Sequence, residues 1–112
     1  MLEATSSARI AMTTVASPEE AARLGRTLVE ERLVACATLV PAVESIYRWQ
    51  GQIETSQETL LLLKTAADRL PALEARIHEL HSYQTPEFAV LAIESGSHPY
   101  LAWLEASLRE TS

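Results

Sequence analysis

The run from Arg9 to Val15, RIAMTTV, is short and rich in β-branched residues, which predicts a strand. Ser17-Pro18-Glu19-Glu20 then reads as a helix start. Ser17 can cap, Pro18 suits the first helical position, and Glu20 can complete a capping box. Ala21, Leu24, Gly25, Leu28 and Val29 follow at helical spacing, and Glu30, Glu31 and Arg32 give the helix a polar end. Leu33 to Val40 predicts a buried strand, and Pro41 interrupts it, which implies an edge, a bend or a bulge. From Val43 to Trp49 the pattern alternates: Ser45, Tyr47 and Trp49 share one face, Glu44, Ile46 and Arg48 the other. Gln50-Gly51 supplies a turn, and Ile53 to Thr65 returns as the partner strand. Both arms exceed the usual strand of about 5–6 residues. Asp68 or a neighbour starts a second helix, with Pro71 in its first turn and Leu70, Leu73, Ile77 and Leu80 as its apolar stripe. Glu87 to Glu94 is a further strand, and Ser97-His98-Pro99 begins a final helix with Leu101, Leu104 and Leu108 on one side.

The order β-α-β-β-α-β-α predicts an α+β fold whose first six elements match the ferredoxin-like split arrangement, an antiparallel sheet with two helices on one face. An extra C-terminal helix follows. Leu60, Leu61, Leu62 and Leu63 are consecutive, and Phe88 to Ile93 is apolar throughout. A strand with one wet face alternates, so these runs predict burial on both faces. The two helices leave the second face bare, and large bare apolar faces are rare on monomers. The pattern therefore predicts oligomerisation through the sheet and its long hairpin.

At 112 residues, 47% hydrophobic and 21% charged, the chain is expected to form a single domain over residues 8–112 behind a flexible lead at residues 1–7. Fraying is expected at the other end, from Arg109 onward. The formal net charge of −6 and the scatter of the nine Lys and Arg residues argue against nucleic-acid binding. No apolar run approaches the roughly 20 residues that span a bilayer, so no membrane partner is expected. Cys36 is the single cysteine, and the N-terminal stretch lacks the pattern of a signal peptide. A cytoplasmic protein is the expectation.

No Gly-rich phosphate loop, nucleophile elbow or CxxC pair occurs, and the expectation is a protein without enzymatic activity. His78 and His81 lie three apart near a helix end, where they suit either divalent metal or a favourable position beside the helix C-terminus. Cys36 reads as a small buried hydrophobe or a soft metal ligand. Tyr47, Trp49, Lys64, Tyr83 and Glu87 flank strand ends. They could line a cleft for a small ligand or seal an interface.

Longer stretches carry a resemblance. Ser17-Pro18-Glu19-Glu20-Ala21, Leu33-Val34-Ala35-Cys36-Ala37, Ser45-Ile46-Tyr47-Arg48-Trp49-Gln50-Gly51-Gln52-Ile53-Glu54, His81-x-Tyr83-x-x-Pro86-Glu87 and Tyr100-Leu101-x-Trp103-Leu104 resemble the CutA family of divalent-cation tolerance proteins. The similarity runs from about Ile10 to Ser107. The resemblance implies a ferredoxin-like homotrimer, similar also to the trimeric PII signalling proteins. It implies a role in tolerance to divalent metals, copper first, without an obligatory cofactor but with copper or zinc weakly bound. It carries metal binding to His81 first, then Glu87 and Cys36. A second reading is a PII-like sensor that holds a small ligand between subunits and signals to a partner protein. Three departures stand out. Ser82 replaces a usual proline, Ala42 follows Pro41 where glycine is usual, and Thr13-Thr14-Val15 stands where some members carry a cysteine.

Overall fold

The computed structural model describes residues 1–109. Ten elements run in order: β1 (Leu2–Ala4), β2 (Ala8–Val15), α1 (Pro18–Glu30), β3 (Cys36–Trp49), β4 (Gln52–Ala66), a 3₁₀ turn (Ala67–Arg69), α2 (Leu70–Leu80), β5 (Ala89–Ala92), β6 (Ser95–Ser97) and α3 (His98–Arg109). The main sheet has the order β3-β4-β2-β5, antiparallel at every step.

Local chemistry sets α1. Ser17 Oγ accepts the Glu20 amide at 3.1 Å, and Pro18 occupies the first turn. The expected reciprocal capping bond from Glu20 is not made, because the Glu20 carboxylate is recruited elsewhere. It accepts from Ser82 N at 3.1 Å and Ser82 Oγ at 2.9 Å, so the first turn of α1 is tied to the loop after α2. The far end of α1 closes in a Schellman motif, with Leu33 N donating to Leu28 O and Arg32 N to Val29 O. Arg32 takes the left-handed position at φ 58°, and its guanidinium donates to Ser107 O of α3 at 2.7 Å. This closure consumes Leu33 to Ala35, so β3 starts at Cys36 and not at Leu33 as the apolar run suggested.

The core lies on one side of the sheet. Ala11, Val15, Leu61 and Leu63 meet Ala21, Leu24 and Leu28 of α1 and Leu73 and Ile77 of α2. Gly25 lets the helix approach closely, since a Cβ there would lie 3.1 Å from the Ala37 Cβ. Cross-strand partners share a face. The register therefore puts Met12 with Leu62, Thr14 with Leu60 and Thr38 with Leu62 on the opposite side. At one end of that side α3 packs Leu104 and Leu108 on Ala35 and Ala66. The rest is uncovered: Leu60, Leu62, Met12 and Ile10 are half-buried, and Leu91 is 52% exposed. The expectation of a partly bare apolar face holds, narrowed by α3.

β3 and β4 form one hairpin. Its two-residue turn has φ 50° at Gln50 and 80° at Gly51, the positive pair a I′ turn requires. The break at Pro41 is a bulge. The register slips between Val40 and Val43, and Ala42 sits at φ 60° without being glycine. Alanine bears this left-handed conformation as strain that a glycine would avoid.

One expectation about the ends changes. The segment read as a flexible lead holds β1, which pairs antiparallel with β6, Leu2 opposite Ser97 and Ala4 opposite Ser95. Backbone pairing needs no side-chain periodicity, which is why SGS gave no strand signal. Arg109 ends α3 in ordered contact with Asp68 and Glu105, and the expected fraying past it lies outside the described residues.

Candidate functional site

The site gathers where β4 emerges from under the helices. Glu58 is 7% exposed and points to the same face as Leu60 and Leu62. The Tyr83 hydroxyl donates to Glu58 Oε2 at 2.6 Å. Burial, and then the hydrogen bond and charge of Glu58, push the Tyr83 phenol well above its ordinary value. Tyr47 joins from β3 and shares a 2.7 Å hydrogen bond with Ser56 Oγ.

His81 sits behind Tyr83, its side chain fully buried and its ring 4.7 Å from the Tyr83 ring. Nδ1 accepts the Tyr83 amide at 3.0 Å, and Nε2 meets Thr14 O at 2.8 Å. A carbonyl accepts only, so Nε2 carries a proton and donates, while the Nδ1 lone pair is taken. Glu20 Oε2 stands 3.9 Å from Nδ1. His81 therefore locks two segments, the end of β2 and the loop carrying Tyr83, while Glu20 holds the first turn of α1 to that loop through Ser82.

This geometry bears on His81, Glu87 and Cys36 as metal ligands. His81 has no lone pair free for a metal, because local backbone groups satisfy both nitrogens. Cys36 lies elsewhere, opposite Lys64 on the uncovered face and beside Tyr100, whose phenol is raised by burial first and then by Cys36. Glu87 is exposed. Among the described residues no group of three or more His, Cys, Asp or Glu side chains converges to hold an ion. His81, Glu87 and Cys36 thus do not make a preformed site within one chain.

Of the five cleft candidates Tyr83 bonds Glu58, and Tyr47 bonds Ser56, two residues along β4 on the same face. Trp49 sits at the hairpin tip, 54% exposed. Lys64 lies six residues along β4 from Glu58, about 20 Å at strand rise. Its ammonium donates to Thr38 Oγ1. Glu20, Ser82 and Glu58 were not singled out from sequence as site residues. Tyr83, 25 positions away, makes Glu58 a site residue.

The profile of the CutA1 divalent ion tolerance protein family matches residues 9–107. The chain belongs to this family. Among CutA1 relatives, the divalent-cation tolerance protein CutA of Thermus thermophilus is 46% identical over 95 residues, covering 85% of this chain and 92% of that protein. The chain spans about half the length of longer plant members named chloroplastic, 55% of the rice protein and 53% of the Arabidopsis one. Among solved structures, CutA from Synechococcus elongatus superposes with a TM-score of 0.93 at 37% identity, covering 96% of each chain. The same organism's CutA complexed with a Bis-Tris molecule gives 0.89 at 34% identity, covering 96% of this chain and 99% of that one. The α+β, antiparallel architecture is thus that of CutA structures, and the family is named for tolerance, not for a reaction.

Proposed function

We propose that this protein is a non-enzymatic, cytoplasmic homotrimer that contributes to divalent-cation tolerance by binding divalent metal weakly, copper before zinc. The uncovered apolar side of the sheet carries the assembly. Leu60, Leu62, Met12, Ile10 and Leu91 form a surface that two further copies would bury. The strand order β3-β4-β2-β5 with α1 and α2 on one face supports a ferredoxin-like subunit. Family membership supports the tolerance role. The order of metals rests on the usual stability series. No helix among the described residues is long and apolar enough to cross a membrane.

A second reading is favoured by one observation, the buried Glu58 carboxylate bonded by Tyr83, with Tyr47 on the same face of the hairpin. Under it the trimer is a PII-like sensor that takes a small ligand there and signals to a partner protein. Thermal unfolding in the presence of metals and of a metabolite panel separates the two. Cu²⁺ raises the midpoint under the first, a metabolite under the second. A midpoint indifferent to every divalent metal sinks the metal-binding reading.

A further inference from the structure

We propose that Glu3 and His98 form a divalent-metal site that clamps the N-terminal strand to the start of α3. The inference rests on the metal-binding reading and gives it a location that differs from His81. His98 Nδ1 is hydrogen-bonded to Glu3 Oε2 at 3.2 Å on the surface, and an ion binding there would take the place of the bond's proton. Two donors that share one tetrahedral ion at about 2.0–2.1 Å stand about 3.3 Å apart, so the pair already has chelating separation. An imidazole nitrogen and a carboxylate oxygen are the donor set that suits Cu²⁺ and Zn²⁺.

The backbone holds both residues in place. Glu3 pairs with Gly96 in the β1–β6 ribbon, and the His98 amide donates to Met1 O at 3.1 Å. Ser97 Oγ accepts the Tyr100 amide at 3.4 Å and so helps fix the turn into α3. Neither side chain must desolvate fully, since His98 is 67% and Glu3 50% exposed. Metal can reach them, and water can fill the remaining positions.

The other histidines serve less well. Both nitrogens of His81 are engaged within the fold. His78 stands 4.0 Å from Glu74 on one exposed helix face, too far to share an ion without movement. His98 lies at a helix N-terminus, whose partial positive charge opposes a cation. The Glu3 carboxylate offsets it, and the affinity is modest.

Calorimetric titration of the full chain with Cu²⁺ and with Zn²⁺ tests this. His98→Ala and Glu3→Gln should each weaken Cu²⁺ binding at least tenfold, while His78→Ala leaves it unchanged. Cu²⁺ should also slow amide exchange across Leu2–Ala4 in the wild type and in neither of the first two variants. Wild-type affinity in both variants overturns this site and leaves metal binding standing. No metal-dependent heat in the wild type overturns the metal-binding reading and this site with it.

Discussion

The Tyr83 hydroxyl, at the end of a loop, closes a 2.6 Å hydrogen bond on Glu58, a carboxylate buried in the middle of the longest strand. The bond offsets the cost of holding that carboxylate away from water. Tyr83→Phe removes the donor and keeps the ring, and should cost about 1–3 kcal/mol in urea unfolding. Glu58→Gln keeps an acceptor of the same shape and should cost less. Equal losses from the two would show that packing, not the hydrogen bond, matters here.

The same pair gives the alkaline limb of stability its sign. Tyr83 in the fold holds its proton more tightly than the ordinary tyrosine value of 10.0. Its contribution is fully present below that value. It is lost as pH rises past it, because the unfolded chain gives up the proton first. The wild type should destabilise steadily above about pH 10, and Tyr83→Phe should flatten that slope. Parallel pH profiles for both proteins would count against the buried phenol.

Ala42 holds a φ of 60° at the bulge. The left-handed region costs a non-glycine residue about 1–2 kcal/mol, and glycine loses about 0.4–1 kcal/mol more to unfolded-chain freedom. Ala42→Gly should therefore raise stability by about 0.5–1 kcal/mol. A lower thermal midpoint in this variant would contradict the strain.

His81→Ala removes two buried hydrogen bonds and opens a cavity between β2, α1 and the Tyr83 loop. The expected cost is about 2–4 kcal/mol, seen in chemical denaturation. Its copper titration, measured below the melting temperature, should match the wild type. A variant that folds as well as wild type but no longer takes copper would restore His81 as a ligand.

Assembly is read by light scattering. The wild type should show about three times the 12.3 kDa chain mass at micromolar concentration. Leu62→Glu, on the uncovered face opposite Met12, should reduce this to one chain mass. A trimer that survives the substitution would move the interface off this face.

Legibility in the sequence tracked how local the cause was. Ser17 and Pro18 start α1 through neighbours within one turn, and the pattern read them correctly. The consecutive leucines announced a doubly apolar strand because side-chain direction alternates with each residue. The β1–β6 ribbon was illegible, since Ser95-Gly96-Ser97 pairs through backbone alone with residues far away in sequence. The roles of Glu58 and His81 were equally hidden. Burial of one is decided by Tyr83, and the occupied nitrogens of the other by Thr14 and the Tyr83 amide. The sequence singles out the histidine without showing that backbone groups engage both its nitrogens.

The bulge at Pro41-Ala42 works like a frameshift in a code of two letters. Up to Val40 the even-numbered residues of β3 face the uncovered side: Cys36 with Lys64, Thr38 with Leu62, Val40 with Leu60. After it the odd-numbered ones do, Val43 with Glu58 and Tyr47 with Glu54. One extra residue therefore decides that a tyrosine, not Ile46 or Arg48, shares the face of the buried carboxylate. Single-residue insertions or deletions between Val40 and Val43 would invert the whole outer arm of the hairpin without altering any residue in it.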